Sequence, residues 1–153
     1  MQETFAYMKN VGCALPAVNV IGSHSAVAAL QAAREAKSPV IIQFSNGGAH
    51  FFAGKFLDNK SERAAIAGAV AGAHFVRNLA EAYGVAVILH SDHAAKKLLP
   101  WVDGMLEHGE RFFARHGEPL FSSHMLDLSE EPLHENLETS ARMLKRMAAI
   151  RMT

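Results

Sequence analysis

Four times along this chain a strand-length apolar run gives way to a helix-length segment, and that repetition constrains the fold more than any single motif does. The first run covers residues 14–20; Gly22 follows, then a predicted helix over 25–37 with Ser23 as its N-cap and Val27, Leu30 and Ala33 on one face. Pro39, allowed at a strand start, opens a second run over 40–44 that ends in Ser45-Asn46-Gly47-Gly48. Residues 49–60 fit neither period, although Phe51 and Phe52 suit a segment that packs down. Ser61 is placed to cap a helix running to Tyr83 and stopped by Gly84, with Ile66, Val70, Ala73, Val76 and Ala80 as its apolar face.

Residues 85–89 form the third run, and Pro100 sets the start of the helix that Gly117 ends. A fourth, less apolar run lies within 120–128. Ser129, Glu130 and Glu131 then read as a capped, dipole-matched start to a last helix whose stripe is Leu133, Leu137, Ala141, Leu144 and Ala148. Continuous apolar runs are the pattern of strands buried on both faces, so the class is α/β with parallel strands and right-handed crossovers. Two architectures fit: a small doubly wound sheet, or half of an eight-unit barrel of roughly 250 residues. No low-complexity linker divides residues 1–153, which read as one domain.

Charge and cysteine content remove several function classes. The net charge is zero with basic residues scattered, so neither a nucleic-acid surface nor an anionic-membrane surface is indicated. A single cysteine, Cys13, excludes an intrachain disulfide and a thiolate metal cluster. The Gly68-x-x-x-Gly72 stretch is too short to span a membrane and is flanked by Arg63 and Arg77; no signal-peptide pattern opens the chain. A soluble cytoplasmic protein is expected.

Polar groups recur where the runs end: Asn19, Ser45 with Asn46, Asp92 with His93, and Asp127. Carboxyl ends of parallel strands are where α/β folds keep their chemistry, although Asn, Ser and Asp also cap helices and make turns at such junctions. His93 can offer a neutral imidazole nitrogen to a metal, with Asp92 beside it for proton transfer. Successive residues of an extended strand point to opposite sides, so sharing one site requires a turn at the strand end. One histidine cannot hold catalytic zinc, which takes about three protein ligands. Of nine histidines none forms H-E-x-x-H; His74, His108, His116 and His134 read as helix-surface or packing residues, and His90 and His124 as hydrogen-bonded core. No G-x-S-x-G elbow, Gly-Lys-Ser/Thr phosphate loop or G-x-G-x-x-G is present. Gly47-Gly48 reads as a turn, and Lys96 and Lys97 as solvated lysines at a helix start.

ALPAVN (14–19), QFSNGGA (43–49), YGVAVILHSDHAAKKLLPW (83–101) and PLFSSHMLDLSEE (119–131) stand together in an order and spacing that closely resemble the class II, metal-dependent fructose-bisphosphate aldolases. The resemblance runs over almost the whole chain. It implies the N-terminal half of a TIM barrel and the reversible cleavage of fructose 1,6-bisphosphate to dihydroxyacetone phosphate and glyceraldehyde 3-phosphate, a lyase step of glycolysis and gluconeogenesis. In that family a divalent ion, usually zinc, polarises the ketone and stabilises the enediolate. Carried over by matching motif, His93 is a zinc ligand, Asp92 the proton donor to the aldehyde oxygen, and Asp127 a ligand of a second divalent position. Asn19 and Ser45 match substrate-contacting residues. Ala94 stands where relatives often have Cys and Ala86 where they often have Pro; neither departure removes a proposed functional group.

Length is the main departure. The resemblance implies that two further zinc histidines, an acidic loop and a glycine-rich phosphate site belong to a second half, so the expectation is a truncated half-barrel, inactive alone. Unpaired strand edges and an uncovered inner sheet face imply a homodimer or a complementary half-barrel as partner. Two alternatives stand beside this reading: a non-catalytic remnant or interaction module that retains the half-barrel, and a compact doubly wound binding domain.

Overall fold

Val40–Phe44 (β2) alternates in burial, with Val40, Ile42 and Phe44 packed under the helices and Ile41 and Gln43 on the opposite face. It is the second of four parallel strands whose order in the sheet is their order in the chain: β1 (Ala17–Asn19), β2, β3 (Val87–Ala95) and β4 (Ser123–Asp127). The computed structural model describes residues 2–152. Met1 and Thr153, the limits of the single domain read above, lie outside the described residues. The helices are α1 (Gln2–Asn10), α2 (Ser23–Ala36), α3 (Asn46–Ala53), α4 (Arg63–Tyr83), α5 (Leu99–His116) and α6 (Leu133–Ala149). Consecutive parallel strands joined by helices form the α/β half-barrel layer, and the doubly wound alternative, which reverses strand order, is not what forms.

Register fixes which residues share the inner face. Ala17 pairs with Ile41, and Ile41 with Ile88; Asn19 pairs with Gln43, Gln43 with His90, and His90 with Ser123. The opposite face packs Val20, Ile42, Phe44 and Leu89 into one core with Ala69, Ala73 and Val76 of α4 and Trp101, Val102 and Met105 of α5. Gly68 and Gly72 give α4 its place in that core. A Cβ on Gly68 would lie 1.8 Å from the Ala49 carbonyl oxygen, and one on Gly72 would lie 2.4 Å from Phe44 Cε1. The G-x-x-x-G spacing is therefore a seat for α3 and a phenyl ring.

Several local expectations are corrected by tertiary contacts. Gly22, not Ser23, is the N-cap of α2; the side chain of Ser25 accepts from the Ile21 and Gly22 N–H groups at 3.0 and 3.2 Å. Ser45-Asn46-Gly47-Gly48 is not a turn but the start of α3, because Ser45 Oγ accepts from Gly48 N at 3.1 Å and nucleates the first turn. Ser61 does not cap α4; Asn59 Oδ1 takes the Ala65 N–H at 2.9 Å, and Ser61 itself has φ 55°. Ile66 and Val70 lie at the margin of the α4 interface, whose buried face is the small one: Ala65, Gly68, Ala69, Gly72 and Ala73. Pro100 and Gly117 bound α5 as expected, Gly117 adopting φ 72°. Ser129 does not cap α6, which begins after Pro132, three residues later than the Ser-Glu-Glu pattern suggests.

The largest correction concerns α6. Its packed residues are Met143, Met147 and, just beyond it, Ile150, with Arg146 reaching Asp103 at 2.7 Å and Glu110 at 2.9 Å on α5. The stripe predicted for burial, Leu133 to Ala148, faces outward along its whole length. Among the described residues no helix is long and apolar enough to cross a membrane.

Candidate active site

β3 does not end at residue 89. It continues through the polar tetrad to Ala95, and the feature that decides the site lies inside it. Ser91 pairs with His124, but Ala94 pairs with Leu126, so three steps on β3 match two on β4. That extra residue is a β-bulge, a device that re-aims side chains at barrel rims. Simple alternation would send Asp92 and His93 to opposite faces. With the bulge, Asp92 reaches Asn19 of β1 and His93 reaches Asp127 of β4, both on the inner side of the sheet. The turn expected after residue 89 is thus replaced by a bulge within a longer strand.

The contacts form one chain along the rim. Asn19 Nδ2 donates to Asp92 Oδ2 at 3.3 Å, and the His93 N–H donates to Asp92 Oδ1 at 2.9 Å. His93 Nδ1 lies 3.4 Å from Asp127 Oδ2. Asp127 Oδ1 accepts from the Ser129 hydroxyl at 2.6 Å and from its N–H at 3.4 Å. The Ser129 hydroxyl, then its N–H, hold the Asp127 carboxyl below its ordinary value, and His93 adds to the effect. Ser129 was read from the sequence as a helix cap. The signal for its actual place is Asp-x-Ser, the spacing of an Asx turn closed on the backbone two residues on.

Ser45 stands at the same rim, one residue past Phe44, which pairs with Ser91. Its hydroxyl serves as the α3 cap and makes no hydrogen bond to Asp92, so four of the six expected rim residues are linked, and Ser45 and Asn46 stand apart. Asn46 turns away from the rim and donates to Glu62 Oε2 at 2.7 Å. Lys96 is not a free solvated cation: it pairs with Glu131 at 3.0 Å and with Glu135, tying the start of α5 to that of α6.

Behind the rim, His90 is half-buried on the inner face with Nδ1 2.7 Å from Ser123 Oγ. Burial lowers its pKa, while Asp92 and Ser123 oppose the shift. His124, on the helix side, is buried with Nδ1 2.6 Å from Ser91 Oγ. Burial first, then the neighbouring His90, push its pKa down to about 3. Below the rim, the inner face borders a cavity of about 550 Å³ lined by Phe5 of α1 with Ala17, Ile41, Ile88 and Met125.

The donor set decides how far a metal fits. His93 Nδ1 and Asp127 Oδ2 are 3.4 Å apart, close to the edge of a tetrahedron around an ion about 2.0–2.2 Å from each donor. They can occupy two vertices. Among the described residues no group of three or more His, Cys, Asp or Glu side chains is placed to hold an ion.

Sequential parallel βα units with a carboxylate–imidazole–carboxylate rim at their carboxyl ends define a segment of an α/β barrel with its polar groups where such barrels keep their chemistry. The family described as fructose-bisphosphate aldolase class-II matches residues 1–153. The chain is 60% identical over 150 residues to the fructose-bisphosphate aldolase of Saccharomyces cerevisiae, a match covering 98% of this chain and 42% of that protein. It is 56% identical over 154 residues to the fructose-bisphosphate aldolase class 2 of Escherichia coli K12, covering 100% and 43%. The crystal structure of fructose-bisphosphate aldolase from Campylobacter jejuni superposes with a TM-score of 0.94 at 53% identity, covering 99% of this chain and 43% of that one. The chain belongs to the class II fructose-bisphosphate aldolase family, and it spans less than half the length of these relatives.

Proposed function

We propose that this chain supplies the N-terminal rim of a zinc-dependent aldolase site that acts on fructose 1,6-bisphosphate, with dihydroxyacetone phosphate and glyceraldehyde 3-phosphate as the cleavage products. The observation that carries the reading is the bulge in β3, which turns Asp92 and His93 toward the same side as Asn19 and Asp127. In this reading His93 and Asp127 are metal ligands, Asp127 at a second position. When bound, the cation supplies Lewis-acid polarisation of a carbonyl oxygen. Asp92 exchanges a proton with the aldehyde oxygen at Oδ2, since the 3.3 Å bond from Asn19 is the weaker of its two and the easier to yield to substrate. Asn19 holds the carboxyl and, with Ser45, meets the sugar. The same reading places the chain in cytoplasmic sugar-phosphate metabolism.

One histidine does not complete a catalytic zinc site, so the isolated chain is expected to show no aldol cleavage. The test is reconstitution with the C-terminal portion of a class II relative. Cleavage that appears on assembly and is lost in Asp92→Asn, with circular dichroism unchanged, supports the reading. Zinc binding that is unaffected by His93→Ala refutes the ligand assignment. The incomplete donor set also favours a second reading, a non-catalytic half-barrel, and an assembled species with no cleavage and no His93-dependent zinc uptake would favour that one.

A further inference from the structure

The strand that carries the rim is fastened to its neighbour by three consecutive side chains. The Leu89 N–H donates to Ser122 Oγ at 3.2 Å, and the Ser122 N–H donates back to the Leu89 carbonyl at 2.8 Å. Ser123 Oγ lies 2.7 Å from His90 Nδ1 on the inner face, and His124 Nδ1 lies 2.6 Å from Ser91 Oγ on the helix side. His90 and Ser123, and likewise Ser91 and His124, are direct register partners across the sheet. The run Ser122-Ser123-His124 thus holds residues 89, 90 and 91 in turn, and the fastening stops where the bulge begins. Beyond it Asp92 and His93 together oppose the single residue Met125, before pairing resumes at Ala94 and Leu126.

We propose that Ser91 and His124 are positioning residues: their buried bond fixes the point at which β3 bulges, and so decides that Asp92 and His93 turn to the rim. Burial alone does not call for a histidine at 124. Ser91 is wholly buried and His124 is 7% exposed, and among the described residues His124 Nε2 has no partner. A leucine fills such a place without leaving a polar atom unpaired. What the histidine adds is a directed bond, and a directed bond in a buried setting selects one arrangement over its near neighbours. A slip of one residue would set His90 against His124, or Ser91 against Ser123, and would turn the β4 side chains to the opposite face. Either slip breaks the Ser91–His124 bond and moves the extra residue away from Asp92 and His93. On the far side of the bulge Ala94 is itself fully buried, so the bulge is bounded at both ends. That the two rim residues do chemistry rests on the function proposed above; that this bond sets their direction does not.

The whole chain is examined by NMR and amide hydrogen exchange. In Ser91→Ala and in His124→Leu the His93 N–H, which donates to Asp92 Oδ1, is expected to exchange about tenfold faster or more. The contact between the Asn19 side-chain amide and Asp92 is expected to vanish from the nuclear Overhauser spectrum, while the β2 amides of residues 41–44 keep their rates. His124→Asn retains a polar atom at the δ position and is expected to restore both signals. An unchanged His93 amide in Ser91→Ala overturns the proposal. So does protection lost evenly through β2 and β3, the mark of a bond that serves core cohesion alone, or a failure of His124→Asn to restore what His124→Leu removes. In the reconstituted enzyme His124→Leu is expected to lower kcat about 10- to 100-fold with KM little changed, and His124→Asn to recover it; a rise in KM alone also counts against positioning. A wild-type assembly without cleavage refutes the aldolase reading, and the exchange measurements still decide this one.

Discussion

The side-chain amide of Asn19 reaches the carboxylate of Asp92 at 3.3 Å although a whole strand, β2, separates the backbones that carry them. Alternate strands of a flat sheet lie about 10 Å apart. The contact therefore depends on two side chains leaning together over the inner face, next to the bulge in β3. Among the described residues it is the one side-chain hydrogen bond that joins the first strand's tip to the third.

Removing that amide tests whether it orients Asp92. In an assembled enzyme Asn19→Ala is expected to lower kcat about 10- to 100-fold, the worth of one hydrogen bond to a charged group. The urea midpoint of the isolated chain is expected to change little, since both groups are solvent-accessible. A KM increase with unchanged kcat would assign Asn19 to substrate contact alone.

Ser129 holds the Asp127 carboxyl below its ordinary value through its hydroxyl and its N–H. Ser129→Ala removes the hydroxyl, so the Asp127 pKa is expected to move up, measured by carbonyl-carbon NMR titration. Because the folded-state value is depressed, whatever stability the pair gives is present above the unfolded pKa and lost as pH falls. Zinc uptake in weak acid is expected to fall with the same variant, since proton and metal compete for one carboxylate.

The α4 glycines separate a steric requirement from simple helix propensity. Gly68→Ala drives a Cβ to 1.8 Å from a backbone oxygen of α3, which cannot swing away as a side chain does. A loss of roughly 1–3 kcal/mol or more is expected. Gly109→Ala meets only Ile150 Cδ1 at 3.4 Å and is expected to be neutral, or to stabilise by up to about 1 kcal/mol through helix propensity. Urea denaturation of both variants checks the contrast.

Buried histidine makes the fold acid-sensitive. His124 has no partner at Nε2, and its pKa lies near 3 against the ordinary 6.5. Between those values the unfolded chain binds the proton and the folded chain does not, so stability falls as pH drops below 6.5. At pH 5 the loss from this residue is about 2 kcal/mol. Unfolding measured at pH 5 and pH 8 is expected to show that slope, and His124→Gln to reduce it. The slope is not abolished, because burial also lowers His90, His74 and His108.

By itself the sequence determined the α/β alternation, β2 to the residue, the Pro100 and Gly117 limits of α5, and the family, because apolar runs, ring-constrained proline and positive-φ glycine are local physics. It also placed Asn19, Ser45 and Asp127 at strand ends, while Asp92 and His93, expected just past a strand ending at residue 89, lie within the longer third strand. Three things were decided only by tertiary structure. The β3 bulge arises from register against a strand about thirty residues away, which no local pattern encodes. Ser45 became a helix cap because α3 could dock on Gly68 of a distant helix. Helix α6 buried Met143 and Met147 and left its leucines outside, because α5 presents Asp103 and Glu110 to Arg146 and thereby sets the helix's rotation. Periodicity tells which side chains are able to leave water; only the neighbouring elements determine which of them do.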